Sequence, residues 1–168
     1  DPIDPKKIDP SYVNAAIEKV MDVCVKGATI VIESTVSPGT IDKFVRPVVK
    51  ACGFAIGQDI HLVHAPERII PGNMLQELVH NNRTIGADNP IVGERVKELY
   101  SSFCKGEIAV TDIRTAEMTK IVENTFRDIN IAFANELAKI CRSDDMDVYE
   151  IIRIANMHPR VNILSPGP

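Results

Sequence analysis

Lys120 and Asn124 lie four residues apart in the run RTAEMTKIVENTFRDINIAFANE at 114–136. On a helix that spacing stacks an ammonium on a carboxamide along one face. Two such donors side by side suit a site that must hold a developing oxyanion. A solvated helix face, with Glu117 and Lys120 as an i,i+3 ion pair, has the same spacing and stands as the alternative. Arg127, Asp128, Asn130 and Asn135 continue the polar lines between Phe126, Ile129, Ile131 and Phe133. That mixture is too polar for a helix that only packs.

Two further segments carry chemistry-bearing residues. Glu33–Thr40 (ESTVSPGT) runs from the end of an apolar, β-branched stretch into a helix start, and Ala65–Gly72 (APERIIPG) follows the next such stretch. In open α/β sheets ligands bind at the carboxyl ends of strands, which places Thr35 and Glu67 on that edge. Glu67 is a candidate to order a water or act as a base; a Glu67–Arg68 surface turn is the plainer reading. Arg160, in the loop sequence His158-Pro159-Arg160-Val161-Asn162, has the group to clamp a phosphate, or caps the helix before it. His61 and His64 stand three apart on a strand, hence on opposite faces, and are read as structural.

These residues are positioned by alternating elements. Asp9-Pro10, Ser37-Pro38 and Asn89-Pro90 each set a capping side chain before a proline suited to a first helical turn. The first helix shows apolar spacing at Tyr12, Ala15, Ala16, Val20 and Val23. Short apolar runs at 28–33, 60–64, 84–86 and 107–110 lie between the helices. Strands of this kind alternating with helices predict a parallel sheet covered on both faces, the second part of a doubly wound, Rossmann-like α/β fold. No Gly-x-Gly-x-x-Gly occurs, so the phosphate-gripping first half of a dinucleotide domain is not in this sequence. From Ile113 the pattern is helical only: one helix of about 30 residues, capped by Asp112 and reaching Ser143, then a second from Val148 to Asn156. The expected division is residues 1–112, part of a dinucleotide domain, and 113–168, an all-helical domain. The chain opens on a helix and stops in the loop-like Ser165-Pro166-Gly167-Pro168, so it is read as an internal piece of an enzyme, silent by itself.

Composition narrows the class. A 168-residue chain with 45% hydrophobic and 25% charged residues is ordinary for a soluble globular protein. A net charge of −4 argues against nucleic acid or an anionic membrane as partner. The apolar runs are too short to span a bilayer. Four scattered cysteines without a C-x-x-C pair argue against a zinc or other metal site and point to free thiols in a cytoplasmic setting.

ESTVSPGT at 33–40, APERIIPG at 65–72, the helix at 114–138 and HPRVNILSPGP at 158–168 together resemble the nucleotide-sugar 6-dehydrogenases, the UDP-glucose/GDP-mannose dehydrogenase group. The resemblance covers essentially the whole chain. It implies oxidation of a sugar C6 alcohol to a carboxylate with two NAD, through a cysteine thioester that is then hydrolysed. Lys120 and Asn124 look like the pair that holds the C6 oxygen and its oxyanion. Thr35 resembles the threonine near the nicotinamide and the hydrolytic water, and Glu67 the glutamate used in hydrolysis. Arg160 resembles an arginine reaching the sugar nucleotide of the other subunit of a homodimer built on the long helix, and Arg127 is assigned with it to substrate binding. Pro71 stands where the UDP-glucose enzymes carry a second glutamate, which favours a UDP-N-acetylhexosamine substrate. N-acetylmannosamine is the first expectation; the gluco and galacto epimers stay open. The cysteine and the NAD-binding glycines are expected outside this chain. A non-catalytic dimerisation module and a two-electron β-hydroxyacid dehydrogenase are the competing readings.

Overall fold

The computed structural model describes residues 9–69 and 72–168. They form two compact units, one ending at Ile121 and the other comprising Val122–Pro168. In the first unit, α1 (Ser11–Met21), β1 (Ala28–Ile32), a π-helical turn (Ile41–Val45) running into α2 (Arg46–Ala51), and β2 (Ile60–His64) are followed by α3 (Met74–His80), β3 (Arg83–Ala87), α4 (Pro90–Ser101) and β4 (Ile108–Thr111). A long helix, α5 (Ile113–Ser143), continues into the second unit, which also holds α6 (Val148–Ala155).

The sheet order is β1-β2-β3-β4. Strand β2 shows why both faces are covered. Ile60 and Leu62 pack with Ile17, Met21, Ile41 and Val45 on one side. Val63 and Ala65 pack with Ile85, Val92 and Val96 on the other. This is the predicted α/β, Rossmann-like arrangement, with one correction. β1 and β2 are parallel, as are β3 and β4, but β3 runs antiparallel to β2, so the sheet is mixed. A parallel return needs a crossover helix packed on the sheet face. Among the described residues of the β2–β3 link the one helix, α3, buries none of its residues, so the chain turns back beside β2. Asn81 donates to Arg68 O at 3.0 Å, and Arg68 in turn donates to Asn82 O and Thr84 Oγ1. These bonds secure the reversal.

Two local expectations are also corrected. The helix after β1 begins at Ile41 rather than at Pro38, because Gly39 sits at φ +87° and interrupts helical geometry. In α1 the buried residues are Ile17 and Met21, while Tyr12 and Val20 are exposed, and Val23 lies beyond its end.

The first turn of α5 lies against β3 at Gly86. A Cβ there would come within 2.7 Å of Ala116 Cβ and 2.8 Å of Asp112 O and Ile113 Cα. Since backbone cannot step aside as a side chain can, Gly86→Ala is expected to cost about 1–3 kcal/mol. Denaturant unfolding reads this directly; an unchanged midpoint would mean the helix start is not seated there.

Candidate active site

Thr35 and Glu67 each stand three residues beyond the end of their strand, β1 and β2 respectively. The strands are parallel neighbours, so both residues leave from the same edge. The exit segments stay zipped together past the strand ends: Ala65 N donates to Ile32 O at 3.0 Å, and Glu67 N to Glu33 O at 3.1 Å. Thr35 is exposed on this edge and Glu67 is half-buried. Glu67 Oε1 is shielded from solvent, with no hydrogen-bond partner among the described residues. A buried oxygen in that condition is costly unless something binds it.

The helix that carries Lys120 is fastened to the turn after β1 by Glu117. The Glu117 carboxylate is fully buried and accepts two backbone N–H groups, Gly39 N at 2.5 Å and Ile41 N at 3.0 Å. Those amides begin the π-helical turn that follows the Thr35 segment, and would otherwise lack partners. One carboxylate therefore caps the turn after β1 and fastens α5 to it. Lys120 follows Glu117 by three residues and is half-buried. The alternative of a solvated Glu117–Lys120 ion pair is thereby overturned: Glu117 continues the buried stripe of Ile113 and Ala116, not a wet face.

His64 completes this buried cluster. Its Nδ1 lies 2.9 Å from Ile32 O; a carbonyl only accepts, so Nδ1 carries the proton. Burial pushes the His64 pKa down, against the opposing effects of the Ile32 bond and the Glu117 charge. The ring is thus neutral near pH 7, and the Nε2 lone pair is buried without a partner among the described residues. Further along the edge, the Tyr100 hydroxyl on α4 donates to Glu33 Oε1. Burial first, then the Glu33 carboxylate, raise the Tyr100 pKa. The Arg83 guanidinium lies over the Tyr100 ring, 5.0 Å from its centre.

The remaining candidates belong to the second unit. Asn124 follows Lys120 by one turn of α5 and is half-buried; Arg127 and Arg160 are exposed. Asn130 and Asn135 have a different role from the polar face expected of them. Asn130 donates to Asn162 O at 2.7 Å and accepts from Leu164 N at 2.9 Å. Asn135 donates to Gly167 O at 2.8 Å and accepts from Gly167 N at 2.9 Å. They hold the segment after α6. Pro71 lies outside the described residues. Among those residues, no cluster of three or more His, Cys, Asp or Glu is placed to hold a metal ion, and no helix is long and apolar enough to cross a membrane.

Sequence profiles of two domains match this chain. Residues 2–104 match the NAD binding domain of the UDP-glucose/GDP-mannose dehydrogenase family, and residues 114–168 match its central domain. The chain belongs to the UDP-glucose/GDP-mannose dehydrogenase family. Within it, the chain is 49% identical over 163 residues to a UDP-N-acetyl-D-mannosamine dehydrogenase of Methanococcus maripaludis, covering 97% of this chain and 36% of that one. The structure of the UDP-N-acetyl-mannosamine dehydrogenase of Staphylococcus aureus superposes with a TM-score of 0.85 at 52% identity, covering 95% of this chain and 39% of that one. A UDP-D-ManNAc dehydrogenase from Pyrococcus horikoshii superposes with a TM-score of 0.89 at 46% identity, covering 95% and 38%. This family member therefore spans between 36% and 39% of the length of these three proteins.

Proposed function

We propose that the full-length protein is an NAD-dependent UDP-N-acetyl-D-mannosamine 6-dehydrogenase, and that this chain supplies the carboxyl edge of its NAD domain and part of its central domain. The observation that carries the reading is Glu117, which ties the helix bearing Lys120 to the strand exit bearing Thr35. Supporting it is the identity of 49% with a UDP-N-acetyl-D-mannosamine dehydrogenase.

NAD would supply hydride acceptance, once for alcohol to aldehyde and once for the step giving a thioester on a cysteine outside this chain. The residues present suit the reacting end of such a cofactor rather than its pyrophosphate. They include an exposed threonine and a carboxyl oxygen without a partner among the described residues, beyond two parallel strands, and no glycine-rich turn. In this reading Thr35 and Glu67 face cofactor and water. Lys120 and Asn124 hold the C6 oxygen, and Arg127 and Arg160 meet the anionic sugar nucleotide. Water adds to the thioester carbonyl, its proton leaves to Glu67, and the thiolate departs with the uronic acid released.

The setting is a cytoplasmic homodimer. Val122, Phe126, Ile129, Phe133 and Ile140 recur along α5 and are each at least 55% exposed. An apolar stripe of that length is usually covered.

Glu67→Gln tests the assignment in the full-length protein supplied with UDP-N-acetylmannosamine. The parent is expected to form two NADH per sugar. The variant is expected to form them once per site and then stall, leaving a thioester detectable as a mass adduct. Normal turnover without an adduct removes Glu67 from hydrolysis. Faster oxidation of the gluco or galacto epimer reassigns the substrate.

A further inference from the structure

The segment after α6 is held almost entirely by asparagines. An irregular segment leaves backbone N–H and C=O groups that need partners. A carboxamide offers one donor group and one acceptor, as a neighbouring strand would. Asn156 uses both on one residue: its Nδ2 donates to Ile163 O at 2.9 Å and its Oδ1 accepts from Ile163 N at 2.8 Å. This closes residues 156–163 into a loop. Asn130 brackets the same base from α5, taking Leu164 N and giving to Asn162 O. Four hydrogen bonds thus fix three consecutive residues. Inside the loop, Val161 N donates to His158 O at 3.0 Å and Arg160 N to His158 Nδ1 at 3.3 Å. At the tip, the Arg160 side chain is exposed.

Exposed amides gain little stability from such bonds, because water competes for each partner. Their effect is on shape. We propose that Asn156 and Asn130 are positioning residues, which hold the 157–162 loop in one conformation so that Arg160 meets an anionic ligand already posed. A guanidinium binds a phosphate through two parallel N–H donors only when its plane is set correctly. A loop that wandered would present that plane a fraction of the time, and affinity falls by that fraction. The inference rests on the reading of Arg160 as a contact to the diphosphate of the sugar nucleotide.

The test is the dissociation constant of UDP-N-acetylmannosamine for the full-length protein, measured by calorimetry without NAD. The proteins compared are the parent, Arg160→Ala, Asn156→Ala and the double variant. Arg160→Ala is expected to weaken binding about 10- to 100-fold, the loss of a charge-assisted pair. Asn156→Ala is expected to weaken it about 3- to 10-fold. The double variant should bind no more weakly than Arg160→Ala alone, since positioning an absent side chain is worth nothing. Unchanged binding by Arg160→Ala overturns the reading of Arg160 and the inference with it. A weakened Arg160→Ala beside an unaffected Asn156→Ala, or penalties that add fully in the double variant, overturn the positioning role alone. Should Asn156→Ala fail to fold, the same cycle runs with Asn156→Asp, which keeps the acceptor for Ile163 N and loses the donor, or with Asn130→Ala.

Discussion

Lys120→Ala in the full-length protein is expected to lower kcat about 10²- to 10³-fold while leaving KM within a few-fold. The ammonium is one helical turn from Asn124 on α5, so two donors converge along one line of the helix. Its own turn is fixed by Glu117, whose carboxylate is committed to Gly39 N and Ile41 N. A donor held before the substrate arrives has no reorganisation to undergo as charge develops on the sugar oxygen. Its removal is therefore felt in the transition state more than in the bound sugar. Lys120→Arg keeps the charge but replaces a compact ammonium with a planar fork, and should recover little of the loss. A matched rise in KM with kcat intact would make Lys120 a plain binding group. Near-parental kinetics would return this face of α5 to solvent.

The long helix was the most legible element. Asp112 caps it through Thr115 N at 2.9 Å, as its side chain and place suggest, and the helix ends at Ser143 as expected. Local signals of that kind survive folding because their partners lie within one turn. The positions of Thr35 and Glu67 just beyond β1 and β2 were legible too, since motif and strand order place them without knowledge of the sheet's far side. Features that local sequence does not reveal depend on partners distant in the chain. Glu117 bonds to residues 76 and 78 positions away, and beside Lys120 it reads as half of a surface ion pair. The one available signal was its register: it stands four residues after Ile113, on the stripe that Ile113 and Ala116 bury. Asn130 and Asn135 stand out in sequence as polarity on an apolar helix, yet their partners lie 32 to 34 residues on. The antiparallel turn of β3 was hidden because α3 has apolar pairs at helical spacing, Met74 with Leu78 and Leu75 with Val79, yet buries none of its residues, so its pattern reads like that of a packed crossover helix. In α1, two apolar stripes compete. Val13, Ile17 and Met21 face the core, leaving Tyr12 and Val20 exposed, and periodicity alone does not choose between them.

Glu117→Ala is expected to be the most destabilising single change at the site, by about 3–5 kcal/mol. Two buried N–H groups lose their acceptor at once, and each unsatisfied donor costs about 1–3 kcal/mol. The vacated space adds a cavity term. Other losses follow from what Glu117 touches. The turn after β1 is held at Gly39, which sits at a positive φ and has no helical neighbour to replace the lost partner. Freed of the carboxylate, the turn and the start of α5 keep Ile41 and Ile113 in one apolar cluster, which fixes neither backbone amide. Glu117→Gln is the sharper comparison. It is nearly isosteric and keeps one acceptor oxygen, but turns an amide NH₂ toward the second backbone donor. It should lose about half as much stability while filling the same space. Denaturant unfolding of the parent and both variants separates the cases. If both variants unfold within about 1 kcal/mol of the parent, the two amides have found other partners, and the carboxylate is not what joins the Thr35 segment to the helix of Lys120. If Ala and Gln lose equally, the charge rather than the hydrogen-bond pair carries the effect. The expected order is parent, then Gln, then Ala, with turnover at limiting cofactor falling in that order too, since Lys120 depends on the position Glu117 gives its helix.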